Sequence, residues 1–130
     1  MEAGSGNGRE ASSCHVLEKE LGWSGICVEP NDAFFEADPQ QARVRHTAPS
    51  LIDYAAFDIE GSEWDVLENF SFRQYTFLAL SLECDGVIWA PVSKLLGGNG
   101  YREVSNPFNR HQPWERYWLH EQVAATGNLS

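Results

Sequence analysis

Ile52-Asp53-Tyr54-Ala55-Ala56-Phe57-Asp58-Ile59-Glu60-Gly61-Ser62-Glu63-Trp64-Asp65 is the stretch that decides the fold. Its first part, Ile52 to Asp58, is a continuous apolar run of strand length, which suits a strand buried on both faces. The run stops in an acidic turn with a glycine. Ser62 and Asp65 then fit the S-x-x-[DE] capping box that opens a helix carrying Trp64, Leu67 and Phe70. A buried strand, an acidic turn and an amphipathic helix in succession form half of a βαβ unit.

The same order appears on either side. Downstream, Phe77 to Glu83 is a third apolar strand ending in the acids Glu83 and Asp85, and a helical segment runs up to Leu96. Upstream, Gly25 to Pro30 is a short apolar run ending in Glu29 and a proline. Before it Ala11, Cys14, Leu17 and Leu21 recur at helical spacing, and Gly22 stops the helix. Asn31 can cap a short helix containing Phe34 and Phe35, limited by Pro39. Residues 42–50 are polar and irregular, with no strand to place. Gly97, Gly98 and Gly100 form a turn into a strand at Tyr101 to Val104, and Tyr117-Trp118-Leu119 makes a final strand. Alternating strands and helices predict an open, mainly parallel α/β sheet. We read one domain over residues 1–123, with 124–130 as a frayed tail.

Composition narrows the function classes. Apolar residues make up 42% of the 130 residues, enough for a packed core. The formal net charge of -10 repels phosphate backbones and anionic lipid, so nucleic acid and membrane are not expected partners. No leader or spanning run is legible, and the expected location is cytoplasmic. Cys14, Cys27 and Cys84 lack the spacing of a zinc site and read as buried thiols. His15, His46, His111 and His120 are scattered and read as structural.

In a doubly wound sheet, ligands bind beyond the carboxyl ends of the strands. Gly4, Gly6 and Gly8 form G-x-G-x-G at such a place, where the lack of Cβ lets backbone approach a ligand. Glu29 lies 21 residues beyond Gly8, a spacing that places a carboxylate at a second strand end to accept bonds from ribose hydroxyls. Taken singly, each of these features is weak, since N-termini are often glycine-rich. Asp58, Glu60 and Glu83 are candidate bases or positioning groups. They also have the oxygen chemistry for Mg²⁺, although nothing in their spacing demands a metal. Glu63 reads as a favourable charge at a helix N-terminus. The five tryptophans read as core or rim aromatics, with Trp89 and Trp114 the candidates to face an acceptor.

Four blocks carry a resemblance. SSCHVLEKELGWSGICVEP (12–30) resembles the FkbM-type methyltransferase stretch in which a helix ending L-E-K-x-L-G-W leads to a G-x-x-x-E-P strand. IDYAAFDIEGSEWDVLENFSF (52–72) is similar to that family's I-D-Y-L-x-x-D-I-E-G-x-E segment. FLALSLE (77–83) matches the next strand, and LLGGNGYREV (95–104) resembles its L-L-x-x-x-G-Y-x-x-V turn. ERYWLHE resembles the closing antiparallel strand.

The resemblance implies a three-layer class I methyltransferase (Rossmann-like) sheet with S-adenosylmethionine as cofactor. Gly4, Gly6 and Gly8 would approach the cofactor's methionine and ribose portions, Glu29 its ribose, and Asp58 and Glu60 the neighbourhood of the sulfonium. The implied reaction is methyl transfer to a hydroxyl of a small molecule or sugar, with Asp58, Glu60 or Glu83 managing its proton. Asp58 is the first choice for positioning. The chain departs from the family in two places: most of strand 1 is missing before Gly4, and only 21 residues separate Pro30 from Ile52, where strand 3 and the adenine loop belong. The alternative is therefore a shortened, non-catalytic binding or interaction module, with an incomplete sheet that a partner or second copy could cover. A nicotinamide-dependent oxidoreductase is disfavoured, since the loop lacks the G-x-G-x-x-G pattern.

Overall fold

Six strands join in one sheet in the computed structural model, which describes residues 1–4, 12–28, 49–106 and 114–126. They are β1 (Glu2–Ala3), β2 (Cys27–Val28), β3 (Leu51–Phe57), β4 (Thr76–Glu83), β5 (Tyr101–Val104) and β6 (Glu115–His120). The helices are α1 (Ser13–Leu21), α2 (Glu63–Glu68), α3 (Trp89–Gly98) and α4 (Glu121–Thr126). Strand order is β2-β1-β3-β4-β6-β5, the first four parallel and β6 antiparallel to both its neighbours. The chain is thus α/β with a mixed, mostly parallel open sheet.

The helices begin and end where side-chain chemistry directs. Ser12 caps α1, its hydroxyl accepting from His15 N–H at 3.3 Å. Gly22 closes it in the left-handed region at φ 69°, with Gly22 N–H bonding Glu18 O and Trp23 N–H bonding Leu17 O, the paired bonds of a glycine C-cap. Asp85 opens α3 by accepting from Val87 and Ile88 N–H through Oδ1. The capping box expected at α2 does not form, because the Ser62 side chain makes no cap bond. Glu63 takes over instead, as described below.

Other boundaries also shift. Gly97 and Gly98 belong to α3 rather than to the turn, which falls on Asn99 and Gly100. Residues 124–126, expected in the tail, continue α4. The last strand is twice the length of its legible centre at Tyr117 to Leu119. The Asn31 cap, the Phe34–Phe35 helix and the strand 3 region lie outside the described residues.

The core lies between β3, β4 and β6 on one side and α2 and α3 on the other. Phe57, Leu67, Phe77, Leu80, Leu82, Val92, Leu96 and Trp118 are all nearly fully buried there. Phe77 stacks on Phe70 at 4.7 Å and meets the edge of Phe57 at 5.7 Å. Burying each such ring stabilises by about 1.5–3 kcal/mol. Tyr101 reaches in from the outer strand, its hydroxyl accepting from Phe77 N–H at 3.0 Å.

Strand alternation slips once. Ile52 and Ala55 both pack on the core, as do Phe77 and Leu80 opposite, so each strand spends three residues where a regular pleat uses two. The register matches, pairing Ile52 with Phe77 and Tyr54 with Ala79 while omitting Asp53 and Leu78. On the other face Tyr54 and Ser81 hydroxyls bond at 2.8 Å, and Leu17 and Trp23 line a hollow with Tyr54 and Ala79. Among the described residues no helix is long and apolar enough to cross a membrane.

Candidate functional site

The chain passes from β1 through α1 to β2 on one side, then returns to β3 on the other, so the strand order reverses about β1. The crevice beyond the carboxyl ends at such a reversal is where open α/β sheets bind ligands. Gly4 leaves β1 there with φ 86°. A Cβ on Gly4 would lie 1.6 Å from Asp58 O, and Asp58 N–H already donates to Ala3 O at 3.1 Å. Only glycine allows the end of β1 to lie this close to the turn after β3.

That turn, Asp58 to Gly61, is fixed from beneath. Glu63, 2% exposed, places Oε1 to accept from Ile59 N–H at 2.8 Å and Gly61 N–H at 3.4 Å. Ile59 packs on the core. Glu60 at φ 56° and Gly61 at φ 96° are both left-handed, a conformation costing a non-glycine residue about 1 kcal/mol. Glu63 stands in the first turn of α2, as expected, and its buried side chain also caps the preceding turn.

Asp58, exposed, and Glu83, half-buried at the end of β4, complete an acidic cluster with Glu63. One carboxylate oxygen from each lies within 4.8 Å of the others. Burial pushes the Glu83 carboxyl up to about 7, helped by a hydrogen bond to Asp58 and by the charges of Asp58, Glu60 and Glu63. Glu83 therefore exchanges its proton near neutrality. The three carboxylates have oxygen chemistry suited to a divalent cation, as do acidic clusters that hold none.

A cleft of about 320 Å³ opens beside the cluster, lined by Glu60, Gly61, Glu83, Asp85, Val87 and Trp114, among others. Trp114 is 48% exposed on its rim. Trp89 instead donates to Glu103 at 3.0 Å and stacks under Arg116, which pairs with Glu103 at 2.8 Å. It braces the sheet edge.

Gly4, Asp58, Glu60 and Glu83 are thus brought to one end of the sheet. Gly6, Gly8 and Glu29 lie outside the described residues. Two roles were not legible in the sequence. Glu2 is buried, with Oε2 accepting from the Ser12 hydroxyl at 2.6 Å, which ties β1 to the start of α1. Glu115 is raised by burial, though Ser81 bonds to it and opposes the rise, and the charge of Asp58 adds to it. Cys84 is buried with its thiol pushed up to about 11, mainly by burial, and is inert as a nucleophile. His120 packs against Tyr101 at 4.8 Å, a structural histidine.

Compared with protein-family models, with curated proteins and with solved structures, the chain matches none.

Proposed function

We propose that the chain is an S-adenosylmethionine-dependent methyltransferase of the FkbM type, acting in the cytoplasm on a hydroxyl of a small molecule or sugar. The observation that carries this reading is the contact at Gly4. Without a Cβ, Gly4 lets the end of β1 lie against the backbone of the acidic turn, and this supports the reading because the contact stands at the reversal point of the sheet, where open α/β sheets bind ligands. A first strand inside the sheet and an antiparallel strand, β6, inserted between β4 and β5 also agree with the class I arrangement the resemblance implies.

The bound cofactor would supply an activated methyl group on a sulfonium. The cofactor would lie beyond the end of β1, where the Asp58 backbone, bonded through its N–H to Ala3 O, sets a carboxylate at the same end. The acceptor's place is the cleft between Glu60 and Trp114. Glu83 faces it with a proton affinity near neutrality, which matches what a general base for a hydroxyl requires. Alignment and proton removal are the tasks left to the protein in a displacement of this kind.

Calorimetric titration of the purified chain with S-adenosylmethionine and its demethylated product tests the reading. Saturable binding is expected, weakened by Glu29→Ala and Asp58→Ala. No heat from either compound would sink the enzyme reading. A second reading is a non-catalytic binding module, with which the wholly internal contact of Gly4 with Asp58 is also compatible. It expects a folded chain with neither binding nor methyl transfer.

A further inference from the structure

The acidic end of the sheet has no balancing cation among the described residues. Asp58, Glu60, Glu63, Glu83 and Asp85 gather at the cleft beyond β3 and β4, and no described lysine, arginine or histidine lines it. Glu115, opposite Glu83 on β6, adds a further acid, and its neighbour Arg116 is paired with Glu103. A cleft of this sign attracts cations.

One of these carboxylates is only half used. Glu63 is 2% exposed, and its Oε1 accepts from Ile59 and Gly61 N–H, whereas Oε2 has no hydrogen-bond partner among the described residues. A buried carboxylate oxygen in that state is costly, which points to a donor that arrives with a ligand. Glu63 lines the cleft, so such a donor has a way in. One oxygen each of Asp58, Glu63 and Glu83 lie within 4.8 Å of one another. A primary ammonium donates three bonds of about 2.8 Å in tetrahedral directions, which sets its acceptors about 4.6 Å apart.

The rest of the lining is largely apolar. It comes from Val87, Ile88 and Trp114, of which Val87 and Trp114 are 82% and 48% exposed. The volume of about 320 Å³ equals about ten waters, far more than a bare ion needs. Apolar lining beside a few convergent charged groups suits a small organic ligand with both characters.

We propose that the cleft binds an organic primary amine in its charged form, the ammonium bonded to Asp58, Glu63 and Glu83 and the apolar part against Val87 and Trp114. A bare divalent cation would satisfy the carboxylates and leave the apolar lining without a role. If the chain transfers methyl groups, as proposed above, the acceptor is an amino alcohol, a conclusion that rests on that reading. Glu83 then accepts from the ammonium through one oxygen and from the hydroxyl through the other. The groups facing Glu83 are Asp58 and Glu60 of the turn, Glu63 of α2 and Glu115 of β6, all acidic, so an arriving cation favours its ionised form.

Calorimetry and amide NMR titration of the 130-residue chain with 2-phenylethylamine test the proposal, with 2-phenylethanol as the neutral match in size. The amine is expected to bind with a dissociation constant below about 1 mM and to shift signals at 58–63 and 83–88, the alcohol at least about tenfold more weakly. Asp58→Asn and Trp114→Ala, both at exposed positions, should each weaken the amine at least about threefold. Affinity should rise between about pH 6 and pH 8, because Glu83, raised to about 7 mainly by burial, gives up its proton to the ligand's charge. The proposal is overturned by no binding at millimolar amine, by equal binding of the alcohol, by affinity unchanged across that pH range, or by shifts elsewhere. It is also overturned if Mg²⁺ binds more tightly and displaces the amine, since the cluster would then be a metal site. Amine binding without S-adenosylmethionine binding keeps the amine site and sinks only its role as acceptor site. The reverse result sinks the amine site and leaves the methyltransferase reading standing.

Discussion

Gly4 and Glu83 carry the sharpest residue-scale consequences. Adding one methyl at Gly4 sets a carbon 1.6 Å from Asp58 O, and neither backbone can move without breaking the bond between Asp58 N–H and Ala3 O. Gly4→Ala should therefore cost at least about 2 kcal/mol in urea denaturation. Gly22→Ala, with nothing within 4 Å of the added carbon, should lose only about 1 kcal/mol for its left-handed backbone. Glu83 binds its proton more tightly folded, up to about 7, than at its ordinary 4.5. Its contribution to stability is thus full below about 4.5, falls as pH rises toward 7 and is absent above. Allowing for solvent screening, the fall is on the order of 1 kcal/mol. Carboxyl-detected NMR titration should find the Glu83 midpoint near 7 and lower in Asp58→Asn, though not at 4.5, because burial, the largest cause, remains.

At the scale of elements, the pairing of apolar strand with acidic strand end was legible, and so was the approach of Asp58 to Glu83, whose third partner is Glu63 and not the expected Glu60, which lines the adjoining cleft. The strands at Leu51–Phe57 and Thr76–Glu83 and the glycine stop at Gly22 fall within a residue of expectation. Burial and glycine chemistry act locally there. What the sequence hid depends on contacts distant along the chain or on competition between neighbours. Ser62 and Glu63 both offer an oxygen to the same turn, and only packing decides that the longer side chain reaches Ile59 N–H from beneath. Glu2 reads as part of a glycine loop until α1 brings Ser12 against it. Trp118 on β6 is the largest of the fully buried side chains. Trp118→Ala should cost about 3–5 kcal/mol, read as a lowered denaturation midpoint with unchanged slope.

For the whole molecule, stability is graded across the sheet. β4 lies between two long partners, whereas β1 and β2 contribute two residues each. Native-state hydrogen exchange should be slowest at 79–82 and fastest among the strands at Glu2, Ala3, Cys27 and Val28. Equal protection across the sheet would contradict this grading. The edge near Gly4 that supports the proposed cofactor site is thus the part most readily opened, and ligand binding there should raise its protection first.

Asp53 and Leu78, opposite one another where the pleat slips, have a consequence for how this chain can change. Each is a surplus residue in its own strand, and each is tolerated because the other matches it. Deleting Asp53 alone displaces Leu51 and Ile52 by one position against Thr76 and Phe77, turning an apolar pair away from the interior. Deleting both restores a regular two-residue repeat in each strand while returning Ile52, Ala55, Phe77 and Leu80 to the same side. Each single deletion should lose the cooperative unfolding transition, and the double deletion should recover it. The two positions should therefore be coupled in their effect on stability, although 25 residues apart in sequence.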